Sequence, residues 1–85
     1  MTALPLTRLG QAIRSMRQHR GLTQQALAAR AGVPRRKVIE GEQGSPRVAI
    51  ETYARVVDAV GGELAVAPAR RPTFEELKDI FPDED

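Results

Sequence analysis

Residues 22–44 read LTQQALAARAGVPRRKVIEGEQG, and the reading of the whole chain turns on this stretch. It holds two short apolar periodicities joined at Ala31-Gly32-Val33. Thr23 suits a helix N-cap, because its hydroxyl can accept a hydrogen bond from an otherwise unpaired N–H of the first turn. Leu22 before it and Leu27 four residues after it have the spacing of a hydrophobic staple. Leu27, Ala28 and Ala31 then lie on one helical face. Gly32 tolerates a left-handed backbone, so the chain can turn sharply there. Pro34 suits the first position of a second helix, where its missing N–H costs nothing. That second helix opens on Arg35, Arg36 and Lys37, keeps Val38 inward and stops near Gly44.

Two helices joined by a glycine turn, the second led by cations, form a helix-turn-helix pattern. The segment resembles the Xre/Cro/phage-repressor family, whose pattern runs L-T-Q-x-x-L-A-x-x-x-G-V…E-x-G. Here those letters are Leu22, Thr23, Gln24, Leu27, Ala28, Gly32, Val33, Glu42 and Gly44. The resemblance extends more weakly over Leu9 to Leu64. It implies an all-α, four- to five-helix, lambda-repressor-like DNA-binding domain, here over residues 1–62.

Composition sets the outer limits. Eighty-five residues allow one modest core, which oligomerisation would help to stabilise. With no cysteine and one histidine, a disulfide framework, a thiolate metal site and a multi-histidine site are excluded, and no cofactor is expected. No stretch approaches the roughly 20 apolar residues of a membrane span. The N-terminus lacks the features of a signal peptide, so a cytoplasmic protein with no membrane partner is expected. The net charge of +2 hides an asymmetry. Residues 1–71 carry twelve Lys/Arg against five Asp/Glu, or +7, whereas residues 72–85 carry Lys78 against six acids, or −5. A basic body attracts a phosphate backbone and an acidic tail is repelled by it, although an ordinary solvated surface with a solubilising tail has the same letters.

Upstream, Met1 to Leu6 reads as a loose arm, with Pro5 blocking early helix. Thr7 is placed to cap a helix running to about Arg20, with Leu9, Ile13 and Met16 inward and Gly21 as its stop. Gly10 interrupts that pattern. Arg17 falls beside the inward face. The family resemblance implies that it pairs with Glu42, locking the first helix to the recognition helix; a phosphate contact is the alternative.

Three positions depart from the family habit. Ala26 leaves the capping box half formed. Pro34 replaces a capping hydroxyl residue. Gly41 stands where a bulky apolar residue packs, so either another side chain fills the space or the recognition helix is short and mobile. Downstream, Ser45-Pro46 reads as a cap and turn. Ile50, Tyr53, Ala54, Val57 and Val60 read as one helical face ending at Gly61-Gly62, with Tyr53 a core or rim residue.

Residues 63–69 alternate, with Leu64 and Val66 on one side and Pro68 as a stop, which reads as a short strand. A lone strand needs a partner, and the same strand of a second copy is the natural one; otherwise the segment only leads away in extended form. A helix-turn-helix followed by one dimerising strand resembles the HipB-type antitoxins, which autoregulate toxin–antitoxin operons. Residues 70–85 read as a hinge, a short helix with a Thr73…Glu76 capping box and an acidic end. Phe74, Leu77, Ile80 and Phe81 form an apolar stripe that needs a surface, on its own domain or on a toxin partner.

The chain shows no nucleophile–base pair, carboxylate dyad, phosphate loop or metal-ligand cluster. Ser15, Ser45 and His19 offer a nucleophile and a base by type alone, but His19, beside Arg20 just before a helix-ending glycine, reads as a solvent-facing group near a helix C-terminus, so a binding protein is expected and not an enzyme. The resemblance places Arg35, Arg36 and Glu40 at base edges of a palindromic double-stranded operator, and Gln24 at backbone phosphate. Arginine can donate twice to guanine O6 and N7. Glu40 either accepts from cytosine N4 or holds Arg36 through an (i, i+4) contact. Lys37, Gln43 and Arg47 are expected at phosphates. The reading is a homodimeric repressor, either the antitoxin of a HipBA-like module or a stand-alone Xre-family regulator.

Overall fold

The computed structural model describes residues 5–66 and Pro68, which contain four helices: α1 (Pro5–His19), α2 (Gln24–Ala31), α3 (Arg35–Glu42) and α4 (Ile50–Ala59). The expected all-α architecture is present. The expected strand is not formed among the described residues: positions 62–66 have neither helix nor ladder, and Leu64 and Val66 are 43% and 103% exposed. A strand exists only when its N–H and C=O groups are paired, and the described residues of one copy offer this segment no second strand. The segment Phe74, Leu77, Ile80, Phe81 lies outside the described residues, as does the end of the chain.

The helix boundaries correct two local readings. α1 opens on Pro5, where a fixed φ favours the first turn, and Thr7 sits inside the helix and not at its cap. Pro34 lies at the N-cap of α3, with φ −62° and ψ 144°, and Arg35 is the first helical residue. The proline carbonyl accepts from the Lys37 N–H at 2.9 Å, so the chain enters α3 one residue later than a proline at the first helical position would place it. Thr23 caps α2 as its type suggests, its hydroxyl accepting from the Ala26 N–H at 3.0 Å. Gly32 then takes φ 70°, and the Val33 N–H reaches back to the Ala28 carbonyl at 3.1 Å, which closes α2 and turns the chain toward α3.

The core is Ile13, Leu27, Ala28, Val38, Val48, Tyr53, Val56, Val57 and Val60, with Leu6, Leu9 and Met16 packed against it. On α4 the buried stripe is 53, 56, 57 and 60, the i, i+3, i+4, i+7 pattern, and not the stripe through Ile50 and Ala54. Ile50 is 69% exposed because it is the first residue of α4. Side chains lean toward the N-terminus of their helix, so that of Ile50 overhangs the end of the core. Ala54, one turn on, follows it to the surface.

Two glycines set how α1, α3 and α4 meet. A Cβ on Gly10 would stand 2.6 Å from the carbonyl oxygens of both Gly41 and Glu42. α1 therefore crosses the end of α3 at backbone distance, and no larger residue fits there unless the helices separate. The space left by Gly41 is filled by Tyr53, whose ring carbon Cε1 lies 3.5 Å from where a Cβ would be. The Tyr53 hydroxyl donates to the Ser45 carbonyl at 2.7 Å, tying α4 to the loop that follows α3. Of the two outcomes foreseen at Gly41, the compensating side chain is the one found. Gly44 ends α3 at φ 74°, and a side chain there would collide with the backbone of Leu6 and Thr7.

Candidate nucleic-acid interface

α3 rests on the core through Val38 and Gly41, both buried. At about 100° per residue the opposite arc carries Arg36, Ile39, Glu40 and Gln43, with Arg35 and Lys37 at its two margins. Arg35, Arg36 and Gln43 are exposed, and neither arginine has an acidic partner among the described residues.

What holds this arc in place is a network centred on Glu42. Its carboxylate accepts from Arg17 Nε at 2.5 Å and from Arg17 Nη2 at 3.1 Å, a two-pronged contact in which the side chains are only 11% and 5% exposed. The third nitrogen of Arg17 donates to the Leu22 carbonyl at 2.9 Å. Gln24 Nε2 donates to the same carboxylate at 3.2 Å. One carboxylate therefore joins α1, the start of α2 and the end of α3. The hydrogen bond to Glu42 holds the Arg17 guanidinium above its ordinary pKa, with partial burial opposing it and the charge of Glu42 assisting. With all three of its nitrogens engaged internally, Arg17 acts within the fold, and Gln24 is oriented by Glu42.

Glu40 pairs with Lys37 at 3.2 Å, one turn away at i, i+3, and not with Arg36. Both partners are about a third exposed. Lys37 reaches forward one turn to the carboxylate, and Arg36 is left exposed. Arg47 is exposed in the loop before α4, where its backbone N–H is fixed by the Ser45 hydroxyl at 3.2 Å.

Between α1, the start of α2 and α3 lies an open groove of about 650 Å³. α2 contributes Gln24 and Gln25, and α3 contributes Arg35, Ile39, Glu42 and Gln43. α1 contributes Arg17 and Arg14, the second of which has no acidic partner among the described residues. Three arginines thus face one carboxylate that is already paired. Arg14 and Ile39 were not singled out from sequence, yet both had a signal there. Arg14 precedes Arg17 by three residues on one helical face, and Ile39 stands one turn from both Arg35 and Gln43. No helix among the described residues is long and apolar enough to cross a membrane, and no cluster of potential metal ligands occurs among them.

This geometry is that of a helix-turn-helix domain, and the chain belongs to the helix-turn-helix domain family, whose pattern matches residues 8–69. Membership points to a DNA-binding regulator. The fold is similar to that of a solved structure named MDT Protein, with a TM-score of 0.71 and 20% identity over 82% of this chain and 99% of that one. No curated protein matches the chain.

Proposed function

We propose that this protein is a sequence-specific transcriptional repressor that binds a palindromic operator as a homodimer. The observation that carries the reading is the outward arc of α3: two arginines without acidic partners among the described residues, on a helix fixed to α1 and α2 through Glu42. α3 enters the major groove, where Arg35 and Arg36 donate in pairs to guanine O6 and N7. Glu40 accepts from cytosine N4 once Lys37 turns from it to a phosphate. Gln24 holds backbone phosphate through its free amide hydrogen and the amino end of α2. Gln43 and Arg47 flank the same strand, and Arg14 adds positive charge to the groove wall. Residues 63–67 of two copies pair as antiparallel strands, bringing Leu64 and Val66 together and satisfying their edges.

The test is enrichment from a randomised duplex pool with the full-length protein, followed by binding titrations. A two-fold symmetric, guanine-containing site is expected. Arg35→Ala should relax preference at one position, by about 1–3 kcal/mol of discrimination. Equal loss on every sequence would refute its base-reading role.

Within this reading, the protein serves as the antitoxin of a HipBA-like module. That view is supported by the segment at 63–67 following directly on the DNA-binding domain, and by the acidic tail of net charge −5 on a basic body. Such a tail gains nothing along a phosphate backbone. Deleting residues 72–85 should leave operator affinity unchanged or higher, and should abolish binding to a toxin encoded beside this gene. If deletion only lowers the melting temperature, the stand-alone regulator is the better description.

A further inference from the structure

We propose that Ile39 reads the C5 methyl group of a thymine, making it a specificity-determining residue beside the two arginines. The inference rests on α3 entering the major groove. Ile39 is half-buried and opens into the groove between α1 and α3, where its neighbours in the lining are Arg14, Gln24, Gln25, Arg35 and Gln43. It is the single aliphatic side chain on the outward arc of α3, one turn after Arg35 and one turn before Gln43. Val38 already fills the core position next to it, at 0% exposure, so the core does not require a second branched residue there. Apolar surface left in a polar groove gains free energy only when something apolar covers it. Along the major groove, base pairs present donors, acceptors and one apolar group, the thymine methyl.

The geometry also places the thymine. Four residues of α-helix span about 6 Å, and DNA advances 3.4 Å per base along one strand. The methyl group read by Ile39 therefore lies within about two base pairs of the guanine read by Arg35. The half-site combines a guanine contacted through hydrogen bonds with a nearby thymine contacted through its methyl.

The test uses the full-length protein and the duplex it enriches from a random pool, with thymines replaced one at a time by uracil. Uracil keeps the pairing face and lacks only the methyl. At one thymine per half-site, replacement should weaken wild-type binding roughly four-fold, corresponding to the 0.8 kcal/mol of one buried methyl-sized group. Replacing both symmetry-related thymines should weaken it roughly sixteen-fold. Ile39→Ala should bind thymine and uracil duplexes equally well, and Ile39→Val should retain part of the difference. A packing role for Ile39 would lower binding to both duplexes alike and leave their ratio unchanged, so the ratio is the decisive readout. The proposal is overturned if no thymine in the enriched site shows a methyl effect, or if Ile39→Ala keeps the full wild-type ratio. Those results leave DNA binding itself intact. Failure to enrich any sequence would instead overturn the repressor reading along with this one. Should Ile39→Ala fold poorly, the uracil scan of the wild type and the Ile39→Val ratio still decide the matter.

Discussion

Replacing Glu42 by alanine removes the carboxylate that bonds α3 to both α1 and α2. Glu42→Ala would leave Arg17, whose side chain is 11% exposed, with only the Leu22 carbonyl as a partner, at 2.9 Å. Removing one member of a buried ion pair costs about 3–5 kcal/mol, because the survivor keeps its desolvation penalty without its compensation. Arg17 retains one hydrogen bond and some water access, so the low end, about 3 kcal/mol, is expected. A domain of this size has a total stability of only about 3–9 kcal/mol. The melting temperature should therefore fall by roughly 12–24 °C, at about 4–8 °C per kcal/mol. The informative comparison is the double variant Arg17→Met/Glu42→Leu, which removes both charges and keeps apolar volume. Replacing a whole buried pair is often neutral, so the double variant should be markedly more stable than Glu42→Ala. Urea denaturation followed by circular dichroism, at one fixed protomer concentration, compares wild type, Glu42→Ala and the double variant. If Glu42→Ala stays within about 1 kcal/mol of wild type, or if the double variant is no better than the single, the pair is a surface contact of little weight.

Gly10→Ala should destabilise despite the better helix propensity of alanine. Its Cβ would meet two carbonyl oxygens at 2.6 Å, and forcing α1 away from α3 costs typically 1–3 kcal/mol; a thermal melt equal to or above wild type would refute the close crossing. Burial raises the Tyr53 hydroxyl above its ordinary pKa of 10.0, so the folded state holds this proton more tightly than the unfolded chain does. That contribution is complete below about pH 10 and is lost as pH rises through the folded value. Tyr53→Phe should flatten the alkaline loss of stability while costing about 1 kcal/mol at neutral pH, for the hydrogen bond to Ser45. Val66→Glu should shift sedimentation toward monomer, and a wild type that sediments as a monomer at micromolar concentration would refute pairing through 63–67.

The parts of the fold that local chemistry controls were legible from the letters. The Thr23 cap, the Gly32 turn, the inward Leu27, Ala28 and Val38, and the stop at Gly44 each depend on residues within a turn or two. The errors share a different cause. Assigning Ile50 and Ala54 to the α4 core failed because periodicity fixes a stripe only to within its width, and the neighbouring helices choose its centre. Gly10 read as a weak spot in α1 because the reason for it, the backbone of α3, lies about 30 residues away in sequence. Tyr53 could not be matched to the gap at Gly41 from spacing alone, since they sit on different helices. The Arg17–Glu42 contact was anticipated through family resemblance and not through periodicity. At Glu40 the sequence offered cytosine N4 or Arg36, and the partner found is Lys37, the residue expected at a phosphate.

The division of labour along α3 would let one helix be both a structural member and, on the proposed function, a reader of DNA. Val38 and Gly41 face the core, and Glu42 faces the arginine of α1, so changes at these three positions act on stability. Arg35, Arg36 and Ile39 lie on the outer side, and the two arginines have no acidic partner among the described residues. Surface substitutions away from such contacts usually alter stability by no more than about 0.5 kcal/mol. The letters that would choose an operator are thus almost free of folding duty, while those that would aim them are not. Gln24 spans the two sets: its amide bonds Glu42 in the protein alone, and in the proposed function the same side chain meets phosphate. A change at Glu42 would therefore reach DNA twice, through the tilt of α3 and through the loss of an oriented amide at the start of α2. On the proposed function, a change at Arg36 would reach DNA only through the base assigned to it.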